Sequence, residues 1–203
     1  MSTTRATLRT TGVAFRAMLV ATLVLGVAYT LFITLVGQLV LPWQANGSPV
    51  KNGAGAVVGS SLIGQPFTDA DGVALPEYFQ SRPSAAGDGY DGGASSGSNW
   101  GPENADLITA IGERRAAVAA LEGVPESAAP ADAVTASSSG LDPHISVAYA
   151  DLQIARVADA RGLTDRQVAD LVAAHTTGRD LGYLGEPRVN VVELNLALDE
   201  LAR

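Results

Sequence analysis

The longest apolar stretch of the chain, residues 17–41, reads AMLVATLVLGVAYTLFITLVGQLVL and contains no charged residue. No charge occurs anywhere between Arg16 and Lys51. A helix of about 20 mainly apolar residues can cross a bilayer, so this stretch is long enough to span one with some tilt. A cleaved signal peptide has a shorter apolar region that ends at a small-residue site, and no clear A-x-A site follows here. The stretch therefore predicts a retained transmembrane helix, with a signal peptide as the alternative.

Charge is distributed very unevenly on the two sides of this stretch. Residues 1–50 contain three arginines and no acidic residue, whereas residues 51–203 contain 10 basic and 21 acidic residues, a net charge of −11. Positive flanks of membrane helices stay in the cytoplasm. We therefore predict a single-pass plasma-membrane protein with a cytoplasmic basic tail over residues 1–16 and an extracytoplasmic C-terminal region. Trp43 would then lie at the outer membrane interface.

Composition excludes several classes of function. The net charge of −8 argues against DNA or RNA as the main partner, because nucleic-acid binding depends on clustered Lys and Arg. The chain has no cysteine, which excludes disulfides, thiolate zinc sites, cysteine nucleophiles and lipoprotein acylation. With two histidines in the sequence, a multi-histidine metal centre is not expected, and we predict no metal site.

Small and hydroxyl residues recur every four positions within the apolar stretch, at Thr22, Gly26, Thr30 and Thr34. In a helix this spacing places them on one face, where small residues let two helix backbones approach closely in lipid. The pattern predicts a docking face for a partner membrane helix, although chance recurrence is an equal alternative. A single helix without a charged residue cannot form an ion path by itself, so any role in transport would be accessory.

The region after the apolar stretch is predicted to be a linker over residues 42–60, with a strand candidate at Ala56–Val58, followed by one α+β domain over residues 61–203. Residues 64–102 are rich in Gly, Pro, Ser and Asp, which predicts loops. Apolar periodicity and capping signals then predict four helices. The first begins at Pro102 or Asn104 and ends at Leu121, and the second lies between its cap Ser146 and Gly162. The third begins at Thr164, with Gln167 completing a capping box. The fourth begins after Asn190 and buries Val191, Leu194, Leu198 and Leu201. A short strand is predicted at Ala133–Ala136.

Two features resemble catalytic elements. Residues 93–97 (GASSG) match the nucleophile motif G-x-S-x-G, but that motif needs a strand before it and a helix directly after it. His144 could act as a general base, or it could satisfy carbonyl groups near the start of a helix. We therefore predict no catalytic residue. A membrane-anchored external binding module or hydrolase that uses the Gly/Ser-rich loop and His144 remains the alternative function.

Several longer strings point to a specific family. They are, in chain order, YF at 78–79, RPSA at 82–85, SSGSNWGPEN at 95–104, VTASSSGLDPHIS at 134–146, Gln153 with Arg156, and LGEPRVNVVELNLALD at 184–199. Together with the N-terminal apolar stretch they resemble the C subunit of the Kdp-type potassium-transporting ATPase over nearly the whole chain. Two positions depart from the family pattern. Ser138 stands where the family usually has glycine, and Trp100 stands where it often has leucine.

The resemblance implies a non-catalytic subunit of a high-affinity, ATP-driven potassium import complex. Its implied partners are a potassium-channel-like subunit and a P-type ATPase subunit, and the family's C subunit is described as a catalytic chaperone that raises ATP affinity. The nucleotide contact implied by the resemblance falls on Ser137, Ser139 and Gly140. No tightly bound cofactor is implied beyond ATP reached through the ATPase subunit.

The implied nucleotide contact conflicts with the predicted topology. Residues 137–140 would lie outside the cell, where cytoplasmic ATP does not reach them, and no lysine lies near them in the sequence. An outer cap on the channel-like subunit fits the topology better. The acidic domain could also raise the local potassium concentration, although acidity that merely maintains solubility is the favoured explanation.

Overall fold

The computed structural model describes the backbone of Ser2–Leu201 and the side chains of residues 6–201. The chain separates into two compact units, Met1–Ser48 and Pro49–Arg203.

The first unit is built on one long helical stretch. It consists of α1 (Ser2–Ala21), a π-helical segment (Thr22–Tyr29), α2 (Thr30–Val40) and the single turn α3 (Pro42–Ala45). Ala6–Val40 is long and apolar enough to cross a membrane, and none of its most apolar part is buried inside the protein. The predicted apolar helix is therefore confirmed as a helix. Helical structure also extends through the described part of the predicted basic tail.

The second unit combines helices with short strands, which confirms the predicted α+β class. Its elements are β1 (Pro49–Lys51), β2 (Val57–Ser60), α4 (Ala105–Glu122), α5 (Ala131–Val134), β3 (His144–Ser146), α6 (Val147–Arg161), α7 (Asp165–Ala174), β4 (Thr176–Thr177), β5 (Arg188–Asn190) and α8 (Val191–Leu201). Strands β1 and β2 form an antiparallel hairpin. Strands β3, β5 and β4 form an antiparallel sheet in that order, in which both Ile145 and Thr176 pair with Val189.

The four predicted helices are confirmed as α4, α6, α7 and α8, and local capping explains their starts. The Asn104 side chain accepts hydrogen bonds from the backbone N–H groups of Asp106 and Leu107, so α4 begins after Asn104 rather than at Pro102. Ser146 caps α6. Thr164 and Gln167 form the reciprocal capping box at the start of α7. Each of these bonds satisfies backbone donors that the first helical turn leaves unpaired.

The core of the second unit lies where the apolar stripes of these helices meet strands β3 and β5. Its fully buried members include Val157 of α6, Val168 of α7, Val189 of β5, and Leu194 and Leu198 of α8. The prediction that Leu201 is also buried is wrong, because this residue is 46% exposed at the last position of α8, beyond the packed stripe.

Two segments have a structure that differs from the one predicted from their sequence. The strand predicted at Ala133–Ala136 is wrong, because Ala131–Val134 forms the one-turn helix α5. The Arg114 Nη1 donates to the Val134 carbonyl oxygen at 3.0 Å, which satisfies an acceptor that a strand would have paired with a neighbouring strand. The segment 42–60, interpreted above as a linker, contains α3 and the β1–β2 hairpin; the predicted strand at Ala56–Val58 overlaps β2.

Candidate functional site

The Thr/Gly face of the apolar helix overlaps its π-helical segment, which contains Thr22 and Gly26. Thr22 begins this segment, Gly26 lies within it, and Thr30 directly follows it. The Thr34 hydroxyl donates to the Thr30 carbonyl oxygen at 2.9 Å, and the Thr30 hydroxyl donates to the Leu25 carbonyl oxygen at 3.4 Å. The hydroxyls of Thr30 and Thr34 are thus satisfied by their own helix. π-Helical turns are rare and frequently occur at functional sites.

The π-helical turns keep the four residues of this face closely aligned. Over four residues an α-helix passes one full turn by about 40°. A π-helix, with about 4.4 residues per turn, instead falls short of a full turn by about 33°. In ideal helix geometry the two deviations offset each other from Thr22 to Thr34, which gives a spread of about 65° instead of the about 120° of a continuous α-helix. The π-helical segment therefore narrows the Thr/Gly face into a stripe.

The segment that contains Ser137, Ser139 and Gly140 packs against the Gly/Ser-rich loop. The Ser139 carbonyl oxygen accepts from the Ser96 N–H at 3.0 Å and from the Ser95 hydroxyl at 2.9 Å. The Ser139 hydroxyl in turn accepts from the Leu141 N–H at 3.1 Å. Ser137 is buried, with 6% of its surface exposed. The polar groups of Ser139 are therefore used to hold two chain segments together.

Gly140 allows the closest approach in this region. Its φ of +69° lies in the left-handed region, and an added Cβ would lie 2.6 Å from the Ser96 carbonyl oxygen and 2.7 Å from the Ala86 nitrogen. The Gly140 carbonyl oxygen accepts from the Ser84 hydroxyl at 2.6 Å. Only glycine fits both the backbone conformation and the space. The three residues implied as nucleotide contacts thus lie together, in a closely packed loop crossing.

An ion-paired cluster follows this crossing along the chain. Arg82 Nη1 donates to Asp142 Oδ2 at 3.0 Å, while Asp142 Oδ1 accepts from the His144 N–H at 3.0 Å and lies 3.1 Å from His144 Nδ1. Burial opposes ionisation of Asp142, but the hydrogen bonds and charge of His144 and the charge of Arg82 outweigh it and hold the pKa of Asp142 below its usual value. His144 thus helps to hold a carboxylate that anchors the loop carrying Arg82.

The same cluster extends to Tyr90. The Tyr90 hydroxyl donates to the Arg82 carbonyl oxygen at 2.7 Å, and burial raises the pKa of Tyr90 to about 12. Tyr90 therefore stays protonated and serves as a hydrogen-bond donor at physiological pH. The cluster thus connects Tyr90, at the start of the Gly/Ser-rich loop, to Asp142 through Arg82.

Residues 93–97 match the nucleophile motif in sequence, but they lack the preceding strand and the directly following helix that this motif requires. Residues 93–97 lie in irregular structure, and α4 begins only at Ala105. The Ser95 hydroxyl is used as a donor to the Ser139 carbonyl oxygen. Within residues 6–201, the structure places no group of three or more His, Cys, Asp or Glu side chains where they could hold a metal ion. The geometry of the loop is thus that of a structural crossing.

A family model described as K+-transporting ATPase, c chain, matches residues 11–200. The chain belongs to this family. The match includes the apolar helix, the loop crossing and every string on which the resemblance to the Kdp-type C subunit rests, and it confirms that resemblance.

Curated relatives named Potassium-transporting ATPase KdpC subunit agree with the family match. The protein from Kineococcus radiotolerans is 57% identical over 186 residues, covering 91% of this chain and 90% of the relative. The protein from Beijerinckia indica is 51% identical over 186 residues, covering 92% and 91%. The protein from Mycobacterium tuberculosis strain H37Rv is 51% identical over 189 residues, covering 93% and 96%. The chain is therefore similar to these subunits along almost their whole length.

Proposed function

We propose that this chain is a non-catalytic accessory subunit that is needed for the assembly and activity of a high-affinity, ATP-driven potassium import complex. The family match over residues 11–200 carries this proposal. Among the residues that the structure describes, one helix could span a membrane, and such a helix alone offers no ion path, which fits an accessory role. The proposed partners are a potassium-channel-like subunit and a P-type ATPase subunit.

Co-purification tests this proposal directly. A tagged full-length chain, solubilised from membranes in mild detergent, is expected to bring down both the channel-like and the ATPase subunit. Deletion of the chain should abolish ATP-driven potassium uptake. Recovery of the chain only as a free monomer, with uptake unaffected by its deletion, would contradict the proposal.

The proposed topology places the N-terminus in the cytoplasm and the second unit outside, as a cap on the channel-like subunit. The charge difference between residues 1–50 and residues 51–203 supports this orientation. Because the chain has no cysteine, one introduced cysteine gives a unique label. Gly178→Cys, at an exposed position with open space around it, is expected to react with a membrane-impermeant maleimide in intact cells. Thr10→Cys should react only after permeabilisation, and the reverse pattern would overturn the topology.

For the nucleotide role, we propose that any effect on ATP affinity acts through the ATPase subunit and not through ATP bound at Ser137, Ser139 and Gly140. The hydrogen bonds of Ser139 and Gly140 and the burial of Ser137 support this proposal. The Ser139 and Gly140 carbonyl oxygens already accept from the hydroxyls of Ser95 and Ser84, and the Ser139 hydroxyl accepts from the Leu141 N–H. A photoreactive ATP analogue added to the purified complex is expected to label the ATPase subunit. Labelling of the peptide that contains residues 137–140 would contradict it.

A membrane-anchored hydrolase is the alternative, and the pairing of His144 with Asp142 is the one observation that favours it. A carboxylate beside an imidazole orients many general bases. Replacement of His144 by alanine distinguishes the two functions. We expect ATP-driven potassium uptake by the His144→Ala complex to stay close to that of the wild type, because His144 lies in a structural cluster.

A further inference from the structure

A cavity of about 340 Å³ lies within the second unit and shares no lining residue with the loop crossing or the ion-paired cluster. Its walls come from the β1–β2 hairpin, the loop over residues 65–78 and α8. Small-molecule sites typically have volumes of about 300–1,000 Å³, and an apolar cavity of about 150 Å³ is enough to hold benzene. The cavity can therefore hold one ring that carries a short chain.

One face of α8 gives the cavity an apolar wall. Val192, Leu196 and Asp199 follow each other at spacings of four and three residues, and all three line the cavity. Val192 and Leu196 are not part of the core cluster that contains Leu194 and Leu198. Helix α8 thus has apolar side chains on two faces, and the core of the unit uses only one of them.

Hydrogen bonds hold the backbone around the cavity in place. Gln80 Nε2 donates to the carbonyl oxygens of Phe67 and Leu75, at 3.0 Å and 3.1 Å. The Leu75 N–H also donates to the Phe67 carbonyl oxygen at 3.0 Å. Gln65 Nε2 donates to the Val58 carbonyl oxygen at 2.9 Å and so connects the loop to β2. The cavity is therefore formed in the absence of a ligand, as is usual for small-molecule sites.

An aromatic pair and a carboxylate in the cavity wall already bind one cation of the protein itself. The ring centroids of Phe67 and Tyr78 lie 5.5 Å apart. Arg161 Cζ lies 4.7 Å from the centroid of the Tyr78 ring, and Arg161 Nη2 donates to Asp199 Oδ1 at 2.8 Å. Aromatic faces attract cations through the ring quadrupole. This wall therefore has the chemistry that favours a positively charged group.

The cavity also has an uncompensated negative charge. Asp199 and Glu200 are the charged residues among the described side chains that line it. Arg161 balances the charge of Asp199. Among the residues that the structure describes, no ion pair includes Glu200. Glu200 thus leaves one negative charge beside an otherwise mainly apolar cavity.

We propose that this cavity binds a small organic cation, in which one apolar ring or short apolar chain carries an ammonium or amidinium group. The charged group lies near Glu200, and the apolar part packs against Phe67 and Leu196. Glu200 would repel an organic anion, and an inorganic cation would lose its hydration against the apolar walls without replacement. The proposal goes beyond the accessory role and does not depend on it.

Protection of an introduced cysteine tests occupancy of the cavity. The chain has no cysteine, so Thr68→Cys places one thiol in the cavity lining. In the full chain in mild detergent, 2-phenylethylammonium at ten times its dissociation constant is expected to slow the reaction of this thiol with methyl methanethiosulfonate about tenfold. Gly178→Cys, with open space around it, detects effects of the probe on the detergent, and its reaction rate should not change. The unfolding temperature of the Thr68→Cys variant should match that of the wild type.

Probes of similar size identify the chemical class of the ligand. The cation should give half-maximal protection at a concentration about threefold lower than neutral 2-phenylethanol, because an exposed ion pair contributes little, and anionic 3-phenylpropionate should protect least. Glu200→Gln in the Thr68→Cys chain should remove the preference for the cation. Glu113→Gln, at an exposed position on α4 outside the cavity lining, should retain it.

Four outcomes would overturn the proposal. They are absence of protection in the Thr68→Cys variant, equal slowing in the Gly178→Cys variant, equal protection by the cation and the alcohol, and a cation preference that persists after Glu200→Gln. None of these measurements involves the partner subunits. Failure of this proposal is therefore distinguishable from failure of the proposed function, which co-purification tests.

Discussion

The side-chain amide of Asn195 in α8 binds the backbone of Phe79 in both directions. Its Oδ1 accepts from the Phe79 N–H and its Nδ2 donates to the Phe79 carbonyl oxygen, each at 2.9 Å. Gln153 in α6 makes the same pair of bonds with the backbone of Gln80. Two amide side chains thus take the place of a neighbouring strand, and they attach the loop-rich segment to two helices of the core.

Removal of the Asn195 amide is expected to be costly. Asn195→Ala leaves a buried donor and a buried acceptor of Phe79 unpaired, which should lower the free energy of unfolding by roughly 2–4 kcal/mol. Asn104→Ala deletes the same group from a helix cap and should cost about 1 kcal/mol. Thermal unfolding of the full chain in mild detergent measures both. If Asn195→Ala proved no more damaging than Asn104→Ala, the buried amide pair would not be a major tether.

A methyl group at Gly140 should disrupt the loop crossing. Gly140→Ala would place Cβ within 2.7 Å of two backbone atoms at a positive φ, and we expect a loss of at least about 2 kcal/mol of unfolding free energy. The control is Gly178→Ala, where an added Cβ meets nothing within 4 Å and the change should stay within about 0.5 kcal/mol. Denaturant titration of the two variants compares them, and equal stabilities would show that the crossing can relax.

The ion-paired cluster should make stability sensitive to acid. The pKa of Asp142 is lower in the folded chain than in the unfolded chain, so its stabilising effect is complete above the unfolded pKa of about 3.9 and is lost as the pH falls through the folded pKa. Asp142→Asn should therefore flatten the decline in unfolding temperature below about pH 4. The exposed Asp151, replaced by asparagine, serves as the control and should retain the wild-type profile. A parallel decline in all three proteins would contradict the assignment.

The Thr/Gly stripe of the apolar helix predicts a steric effect on assembly. Gly26→Leu would fill the face where two helix backbones are expected to approach, and we expect about tenfold less partner co-purified from membranes. Gly12→Leu makes the same change outside residues 17–41, at a site with open space around it, and should not change the yield. Undiminished complex in the Gly26→Leu variant would exclude this face from docking.

Local signals predicted a large part of this fold because capping and apolar periodicity act within a few residues. Asn104, Ser146 and Thr164 each bind N–H groups two or three residues ahead, so a short sequence window contains the whole interaction. The β1–β2 hairpin is harder to predict, since its turn depends on the Asn52 side chain accepting from the Ala54 and Ala56 N–H groups in a Gly- and Ala-rich stretch.

The remaining features depend on contacts between distant parts of the chain. Helix α5 has its last carbonyl capped by Arg114 from another helix, so the sequence of residues 133–136 alone favours the wrong structure. The packing of Gly140 against Ala86 and Ser96 likewise joins segments more than 40 residues apart. For the candidate site, the sequence indicated which residues share a motif, but only the structure shows that their polar groups are bound to the protein itself.

The amide tethers of Asn195 and Gln153 also affect how quickly solvent deuterium enters the loop-rich segment. Phe79 and Gln80 belong to no helix or strand, yet both N–H groups donate to buried side-chain oxygens anchored on core helices. Exchange at these two positions therefore requires α6 and α8 to separate from the loop, and it should be as slow as exchange in the centre of those helices. In this subunit, irregular backbone and rapid local opening are not the same property.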